Sequence, residues 1–306
     1  MMTDQLPLIK KTKKGLNSSY FFVLPYMVIF FTLVVILIVI SVVLSLTYYD
    51  TINFPTFIGF DNYVALFTQD NDFMQYALPT TIKYALIIGP GSYGLSFLMA
   101  WVLSQITHRL RTIIAIILYS PSLTNGVLMS VIWKVVFSGD SRGYLNYYLL
   151  SLGIINEPMQ WLQNSNMIFG IMIFVGIWSS MSVGFLAMLS GILNINKDLY
   201  EAAYVDGMKS RWQEIFYITI PSMKPQMLFG AVMAIVGTFN ASGLAATLSG
   251  SVPPPQFAGW LIVDHMNDYG FARYEMGYAS ALSVILLLMV LFFNRISHKL
   301  FGEKDV

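Results

Sequence analysis

Residues 21–46 read FFVLPYMVIFFTLVVILIVISVVLSL and contain no Asp, Glu, Lys or Arg. In a helix, about 20 apolar residues cross the roughly 30 Å hydrocarbon core of a bilayer, at about 1.5 Å per residue. The run also far exceeds the apolar region of a secretory signal, which holds about 7–15 residues, and no small-residue cleavage site follows it. We therefore predict a retained transmembrane helix from Phe21 to Leu46.

Five more stretches match the first one in length and in their lack of charged residues. They are Tyr84 to Leu103, Ile113 to Trp133, Ile168 to Leu193, Met227 to Leu248 and Met276 to Phe293. The chain of 306 residues is 56% hydrophobic and only 11% charged, whereas average soluble domains have about 25% charged residues. These features predict an all-α polytopic membrane protein with six transmembrane helices, folded as one domain over residues 1–306.

The basic residues predict the orientation, because Lys and Arg in short loops stay preferentially on the cytoplasmic side. The N-terminal segment 1–20 and the loop 194–222 are then cytoplasmic, whereas residues 249–275 form an external loop. Lys83 and Lys134 lie at the external ends of the second and third spans. We expect both termini in the cytoplasm, because most of the 17 Lys and Arg then fall on that side: Lys10, Lys11, Lys13, Lys14, Arg109, Arg111, Lys197, Lys209, Arg211, Lys224, Arg295, Lys299 and Lys304.

Several absences from the sequence narrow the function. A net charge of +1 argues against a nucleic-acid-binding protein, and a chain without cysteine has no disulfide, thiolate metal site or cysteine nucleophile. No complete Gly-x4-Gly-Lys-Ser/Thr loop for ATP is present. The predicted spans lack the ionisable residues that ion-coupled transporters use. Because the three histidines lie outside the spans, no Ser/His/Asp arrangement is predicted and the chain is not expected to be an enzyme.

One small cluster of polar residues could suggest a metal site. Asp264, His265 and Asp268 lie close together in the external loop 249–275. Three such residues in an exposed loop are more often solvated, or in contact with a partner, than bound to a metal. We therefore predict no metal site and expect these side chains on the surface.

The loop between the fourth and fifth spans carries strong local signals. Residues 196–221 read NKDLYEAAYVDGMKSRWQEIFYITIP. Asn196 can cap a first helix, and Gly207 supplies the left-handed residue that ends it. Ser210 and Gln213 have the spacing of a capping box, which begins a second helix running toward Pro221. The sequence predicts two cytoplasmic helices joined by a glycine turn.

The first of these helices has the features of a docking surface. Leu199, Ala202, Ala203 and Asp206 share one side, where the two alanines allow a close approach of another protein. Tyr200 and Tyr204 form an aromatic pair at i, i+4 that could fill a partner's cleft. The alternative is an ordinary interfacial helix with its tyrosines at the level of the lipid headgroups.

The residues of this loop resemble a known motif. Glu201-Ala202-Ala203, Asp206-Gly207, Trp212, Ile218-Thr219-Ile220-Pro221 and Pro225 resemble the EAA motif of inner-membrane permease subunits of ABC importers, in particular the carbohydrate-uptake permeases related to the maltose permease. The stretches 57–63 (FIGFDNY) and 273–282 (RYEMGYASAL) are also similar to that family. Met208 departs from it, because the family more often has a small residue there.

The resemblance implies a type I ABC importer permease fold in a bacterial inner membrane. It implies four kinds of partner: the lipid bilayer, a second permease subunit in a heterodimer, two ATP-binding subunits and an extracellular sugar-binding protein. ATP and magnesium would be held by the ATP-binding subunits, and this chain would bind no cofactor. The residues implied to couple to the ATPase are Tyr200, Glu201, Ala202, Ala203, Tyr204, Asp206, Gly207 and Pro221.

The fourth and fifth spans contain a candidate substrate pathway. Aromatic side chains mixed with neutral hydrogen-bonding groups suit the apolar faces and hydroxyl edges of a sugar. The alternative is helix packing, for which Ser, Thr and Gly are common within membranes. Asn240 favours a pathway, because a carboxamide in hydrocarbon is costly unless it faces a cavity or a partner. The candidates are Trp178, Ser182, Thr238, Phe239, Asn240 and Ser242.

The function expected from these observations is import of a carbohydrate, an oligosaccharide in particular, by alternating access. One alternative is the same architecture with another small solute such as glycerol phosphate as cargo. The other is a non-transporting membrane scaffold that anchors an ATPase.

Overall fold

The computed structural model describes residues 18–124 and 126–301. The basic residues Lys10, Lys11, Lys13, Lys14 and Lys304, on which the orientation partly depends, lie outside these ranges. Within them the chain is almost entirely helical, with sixteen α-helices and one pair of two-residue strands. The predicted all-α class is confirmed.

The first span is one continuous helical rod. It consists of α1 (Ser18–Phe30), a π-helical stretch (Phe31–Val35) and α2 (Ile36–Leu44). Most of its apolar side chains are exposed, and only its end meets the rest of the protein, where the hydroxyls of Ser41 and Ser283 lie 2.9 Å apart. A helix so apolar and so little buried by protein fits a lipid-facing span.

A short external region connects the first and second spans. Strands β1 (Thr47–Tyr48) and β2 (Thr56–Phe57) pair antiparallel, and α3 (Asp61–Thr68) follows. The second span then begins with a π-helical turn (Phe73–Ala77) and continues as α4 (Leu78–Ser104). This helix starts earlier than the predicted Tyr84, because Lys83 lies exposed on it and does not interrupt it.

The third, fourth and fifth predicted spans each consist of two helices separated by a break. The third consists of α5 (His108–Leu123) and α6 (Gly126–Val136), and the fourth of α8 (Ser165–Trp178) and α9 (Val183–Leu193), bent by 40°. The fifth consists of α13 (Lys224–Phe239) and α14 (Leu244–Ser249). Pro121 lies just before the first of these breaks and removes a backbone donor. At the second break the hydroxyls of Ser179 and Ser180 bond to carbonyls of the last turn, and at the third Gly243 adopts a φ of 72°.

The remaining elements are short apart from the last helix. The predicted external loop between the third and fourth spans contains α7 (Tyr144–Ser151). The predicted cytoplasmic loop contains α10 (Lys197–Val205), α11 (Arg211–Glu214), a π-helical turn (Ile215–Thr219) and α12 (Ile220–Ser222). The predicted external loop before the last span contains a 3-10 turn (Pro255–Phe257), α15 (Ile262–Asn267) and a π-helical turn (Asp268–Ala272). The chain ends in α16 (Met276–Phe301).

The number of spans depends on how the broken helices are counted. In the described ranges three helices are long and apolar enough to cross a membrane, and five do so if each bent pair counts as one span. The fifth predicted span is not among them, because α13 has only 16 residues. The multi-span helical fold is confirmed, whereas a count of six continuous helices is not.

The core forms where α4, α9, α13 and α16 pack together. Phe185, Met188 and Leu282 are fully buried there. Helices α9 and α13 approach most closely at Gly184 and Gly230, where a Cβ atom added to Gly184 would lie 3.2 Å from the Cα atom of Gly230. Glycine is needed at this contact, because a side chain would force the two helices apart.

Candidate functional site

An inner cavity of about 340 Å³ lies where the broken helices meet. It is lined by α4, α5, α6, α8, α13 and α14 and by the breaks within the third, fourth and fifth spans. Its polar lining consists mainly of hydroxyl groups, and none of its described lining residues is charged. The hydroxyl-bearing residues of this lining are Tyr84, Ser92, Ser122, Thr124, Ser179, Ser180, Ser182, Thr238 and Ser242.

The helix breaks create this cavity, and local hydrogen bonds stabilise them. At the end of α8, Ser179 Oγ donates to Val175 O at 2.9 Å and Ser180 Oγ donates to Ile177 O at 2.6 Å. Between α13 and α14, Gly243 adopts a φ of 72°, which favours glycine. Irregular backbone at membrane depth is tolerated where it lines a cavity or is buried in protein. The cavity therefore accounts for the presence of broken helices at this depth.

Three of the six candidate pathway residues line the inner cavity and three do not. Ser182, Thr238 and Ser242 line it. Phe239 is instead buried in the core against the ring of Phe293, with ring centroids 5.1 Å apart. The substrate roles of all six residues stay predictions.

Trp178 and Asn240 also lie away from the inner cavity. The ring of Trp178 packs edge-on against Trp133 at a centroid distance of 5.2 Å. Asn240 is exposed and caps the C-terminus of α13, where its N–H donates to Val236 O. Asn240 lies within the predicted fifth span, Met227 to Leu248, but the helix α13 ends one residue before it.

A buried network on the predicted external side was missed by sequence reasoning. Asp70 Oδ2 lies 2.7 Å from His265 Nε2 and accepts a hydrogen bond from Tyr278 OH at 2.7 Å, while Phe73 N donates to Asp70 Oδ1. Trp260 Nε1 donates to His265 Nδ1 at 3.3 Å, so Nε2 carries the proton that His265 donates to Asp70. Burial alone would raise the pKa of Asp70, but the hydrogen bonds from His265 and Tyr278 lower it to about 2.

Asp264 and His265 are buried, which corrects the expectation that they lie on the surface. The carboxylate of Asp264 accepts hydrogen bonds from the N–H groups of Gly243 and Leu261 and so ties α15 to the break before α14. Burial raises the pKa of Asp264 to about 6. Asp268 forms an ion pair with Arg273 at 2.7 Å. Within the described ranges no group of three or more residues could hold a metal ion.

The predicted helix-turn-helix forms in the loop 194–222. Asn196 caps α10, its side chain accepting a hydrogen bond from Asp198 N at 3.1 Å. Gly207 ends the helix with a φ of 97°. Ser210 Oγ and Gln213 Oε1 form the capping box of α11. Pro221 lies in α12, which continues the helical run from α11 through the π-helical turn and ends it at Ser222.

Helix α10 is held by one side and exposed on the other. The hydroxyls of Tyr200 and Thr219 lie 3.1 Å apart, and Tyr204 OH donates to Glu214 Oε2 at 3.2 Å. Glu214 is buried and also pairs with Arg211 at 2.7 Å. The two tyrosine hydroxyls therefore bind the following segment of the same chain.

The outward side of α10 is not covered by any other part of the described chain. Leu199, Glu201, Ala202, Val205 and Asp206 are exposed, and Val205 is 88% exposed. The Glu201 carboxylate has no hydrogen bond or ion pair to any residue in the described ranges. An apolar surface flanked by the free carboxylates of Glu201 and Asp206 is suited to binding another protein.

Comparison with known proteins gives a family. A family model described as "binding-protein-dependent transport system inner membrane component" matches residues 92–300. The chain is 30% identical to the probable ABC transporter permease protein YesP of Bacillus subtilis (strain 168), over 94% of this chain and 91% of YesP. It is 29% identical to the arabinooligosaccharides transport system permease protein AraP of the same organism, over 81% of this chain and 77% of AraP.

A solved structure has the same fold. A chain in the crystal structure of a bacterial alginate ABC transporter, in complex with an alginate pentasaccharide-bound periplasmic protein, superposes with a TM-score of 0.75. The alignment covers 94% of this chain and 96% of that chain at 23% identity. At this identity the similarity establishes the fold alone.

Proposed function

The chain belongs to the family of binding-protein-dependent transport system inner membrane components and is a permease subunit of an ABC importer, and from this premise we propose that its cargo is a carbohydrate, an oligosaccharide in particular. The observation that carries the proposal is the inner cavity, which is uncharged and rich in hydroxyl groups. Neutral hydrogen-bonding groups beside apolar ones suit a polyol with apolar C–H faces. The similarity to an arabinooligosaccharide permease supports the same cargo class.

The proposal includes the partners that would provide the energy and the cargo. Two ATP-binding subunits would bind and hydrolyse ATP with magnesium, and one of them would receive the exposed face of α10. A second permease subunit would complete the membrane part in a heterodimer, and an extracellular binding protein would deliver the sugar. The termini would lie in the cytoplasm, as the basic residues favour.

The mechanism that follows is mechanical. Closure of the ATP-binding subunits would move α10, and α10 would transmit the motion through the hydroxyl contacts of Tyr200 and Tyr204 to the segment leading into α13. Because α13 and α14 line the inner cavity, this motion would open the cavity alternately to each side of the membrane.

The two alternatives are less well supported. Glycerol phosphate would need basic groups for its phosphate, and none of the described residues of the inner cavity is charged. A scaffold without transport activity would need no polar cavity between its helices.

The test is purification of the tagged chain from native membranes in a gentle detergent, with its associated subunits. ATP hydrolysis is then measured with candidate binding proteins, each loaded with arabinotriose, maltotriose or glycerol phosphate. Stimulation by a sugar-loaded binding protein is the expected result. Stimulation by glycerol phosphate alone would contradict the carbohydrate cargo, and a chain that purifies without an ATPase would contradict the proposed coupling.

A further inference from the structure

A second, outer cavity lies on the predicted external side. Its volume is about 590 Å³, within the range of roughly 300–1,000 Å³ that is usual for small-molecule sites. Its walls come from α6, α14, α15 and the π-helical turn after α15. Two aromatic residues, Trp260 and Phe271, and several polar side chains line it.

The charged residues of the outer cavity differ in whether they have partners. Both oxygens of Asp264 accept hydrogen bonds from backbone N–H groups, and Asp268 pairs with Arg273. The side chains of Lys134 and Asn267 are half-buried, and neither has a hydrogen bond or ion pair to any residue of 18–124 or 126–301. Partly buried polar groups without a protein partner are available for water or a ligand.

The position of Lys134 places its charge in the outer cavity. Its Nζ atom lies beside Gly250, where an added Cβ atom would be 3.7 Å away. Phe271 exposes 70% of its surface. A donor, a carboxamide and an exposed aromatic ring match the needs of a sugar residue, whose hydroxyls form hydrogen bonds and whose C–H face packs on a ring.

The outer cavity lies beside the inner one, and the two share a wall. On α6, Met129 lines the inner cavity and Ser130 the outer one, and on α14 Leu244 lines the inner cavity and Thr247 the outer one. The hydroxyls of Ser130 and Thr247 lie 2.7 Å apart in this wall. The outer cavity, on the predicted external side, therefore lies next to the inner cavity on the side from which the proposed cargo would arrive.

We propose that the outer cavity is a saccharide-binding subsite, in which Lys134 and Asn267 bind sugar hydroxyls and Phe271 packs against the sugar ring. This proposal rests on the carbohydrate cargo proposed above. It adds a site that the cargo occupies before it reaches the inner cavity.

The test measures sugar binding to the intact importer complex in nanodiscs, without the binding protein. Arabinotriose and maltotriose are the probes, and isothermal titration gives the Kd of the one that stimulates ATP hydrolysis. Lys134→Met, Asn267→Ala and Phe271→Ala are each expected to raise Kd at least fivefold. Phe271→Tyr keeps an aromatic ring and is expected to retain the affinity.

Two matched variants serve as controls. Lys83→Met removes an exposed external lysine, and Phe54→Ala removes an external phenylalanine that is 94% exposed. Neither residue lines the outer cavity, so both variants are expected to leave Kd unchanged.

The outcomes separate this subsite from the proposed function. Intact stimulation by a sugar, together with a Kd unchanged in all three cavity variants or with no saturable binding, would overturn the subsite alone. Control variants that weaken binding as much as the cavity variants would also overturn it. An assembled complex that responds to no sugar would contradict the carbohydrate cargo, and the subsite with it.

Discussion

The outer cluster of Asp70, Trp260, His265 and Tyr278 and the helix α10, which is predicted to be cytoplasmic, represent opposite ways of using polar residues. In the outer cluster, buried polar atoms form hydrogen bonds to one another across the external loops and α16. Helix α10 has no buried residue, and its polar contacts to the chain are those of Asn196, Tyr200 and Tyr204. The outer cluster is complete within this chain, whereas α10 leaves one face for a partner.

This difference predicts whether a substitution changes the stability of the protein or its interaction with a partner. Removing a member of a buried network leaves its partners without hydrogen bonds, which costs stability. Removing a group from an exposed helix face costs little stability, so its effect should appear in the interaction with the ATP-binding subunit. Four substitutions can break or sharpen this comparison.

The largest effect is expected from Gly207→Pro at the end of α10. The φ of Gly207 is 97° and its N–H donates to Tyr204 O at 3.2 Å, whereas proline fixes φ near −65° and has no N–H. The turn should be lost and α10 displaced, while membrane insertion stays intact. ATP hydrolysis stimulated by the binding protein should fall more than tenfold.

The matched control at this position is Gly207→Asn. Asparagine tolerates positive φ better than other side chains, and no atom lies within 4 Å of an added Cβ. It should retain most of the stimulation. If Gly207→Pro leaves stimulation unchanged, α10 does not transmit the motion and the proposed coupling is wrong.

The second prediction concerns Asp70→Ala in the outer cluster. The substitution leaves the buried His265 Nε2 and Tyr278 OH without their acceptor, at a cost of about 1–3 kcal/mol for each group. We expect roughly 3 kcal/mol less stability in total, measured as a lower Tm of the purified complex. The surviving complex should still couple ATP hydrolysis to sugar.

Asp268→Ala provides the comparison for Asp70→Ala. It removes an ion pair with Arg273 that is partly exposed, and such pairs contribute about 0–1 kcal/mol. Equal losses of Tm in both variants would show that burial of the network adds nothing, and the contrast between the two regions would fail.

The third prediction uses the pH dependence of Asp264. Because its folded-state pKa is raised to about 6, its contribution to stability is full below its unfolded pKa of about 3.9 and is lost as pH rises through 6. Between pH 5 and pH 7 the loss should be roughly 1 kcal/mol. Asp70 does not titrate in this range, since its pKa is about 2.

Thermal unfolding at both pH values, with and without Asp264→Asn, measures this contribution. Asparagine cannot ionise, so the fall in Tm from pH 5 to pH 7 should be smaller in the variant. The Tm of the variant should be lower than that of the wild type at both pH values, because the amide can accept only one of the two backbone hydrogen bonds well. The test therefore compares the change in Tm with pH and not the Tm itself. An identical fall in both proteins would contradict a raised pKa at Asp264.

The two regions also differ in how well the sequence predicted them. The caps at Asn196 and Ser210 and the turn at Gly207 depend on residues a few positions apart, so local rules were enough. The network of Asp70 and His265 joins residues 195 positions apart, and such a pairing is set by tertiary packing. The short apolar stretch around Trp260 was a local sequence signal that the segment next to His265 is buried.

The membrane part was predicted in its apolar runs but not in its breaks. Hydrophobicity marks where a chain enters lipid, and it does not show where a helix ends within the span, as α8 does before Ser179 and Ser180. The break after Phe239 placed Ser242 in the inner cavity and left Asn240 outside it. Three of the six candidate pathway residues line this cavity, whose existence depends on the breaks, and their substrate roles stay predictions.

The smallest effect is expected from Glu201→Gln on the exposed face of α10. Its carboxylate has no partner in the described chain, so folding should be unaffected. A solvent-exposed ion pair with the ATP-binding subunit would contribute about 0–1 kcal/mol, which corresponds to less than a fivefold change in affinity. The loss should shrink further as salt rises from 0.05 to 0.5 M, because such pairs are screened.

The control is Glu157→Gln. Glu157 is an exposed acid on the predicted external side, so the substitution should have no effect at either salt concentration. A loss above tenfold that persists in high salt would instead mean that Glu201 becomes buried in the interface, where a charge pair behaves like those of the outer cluster.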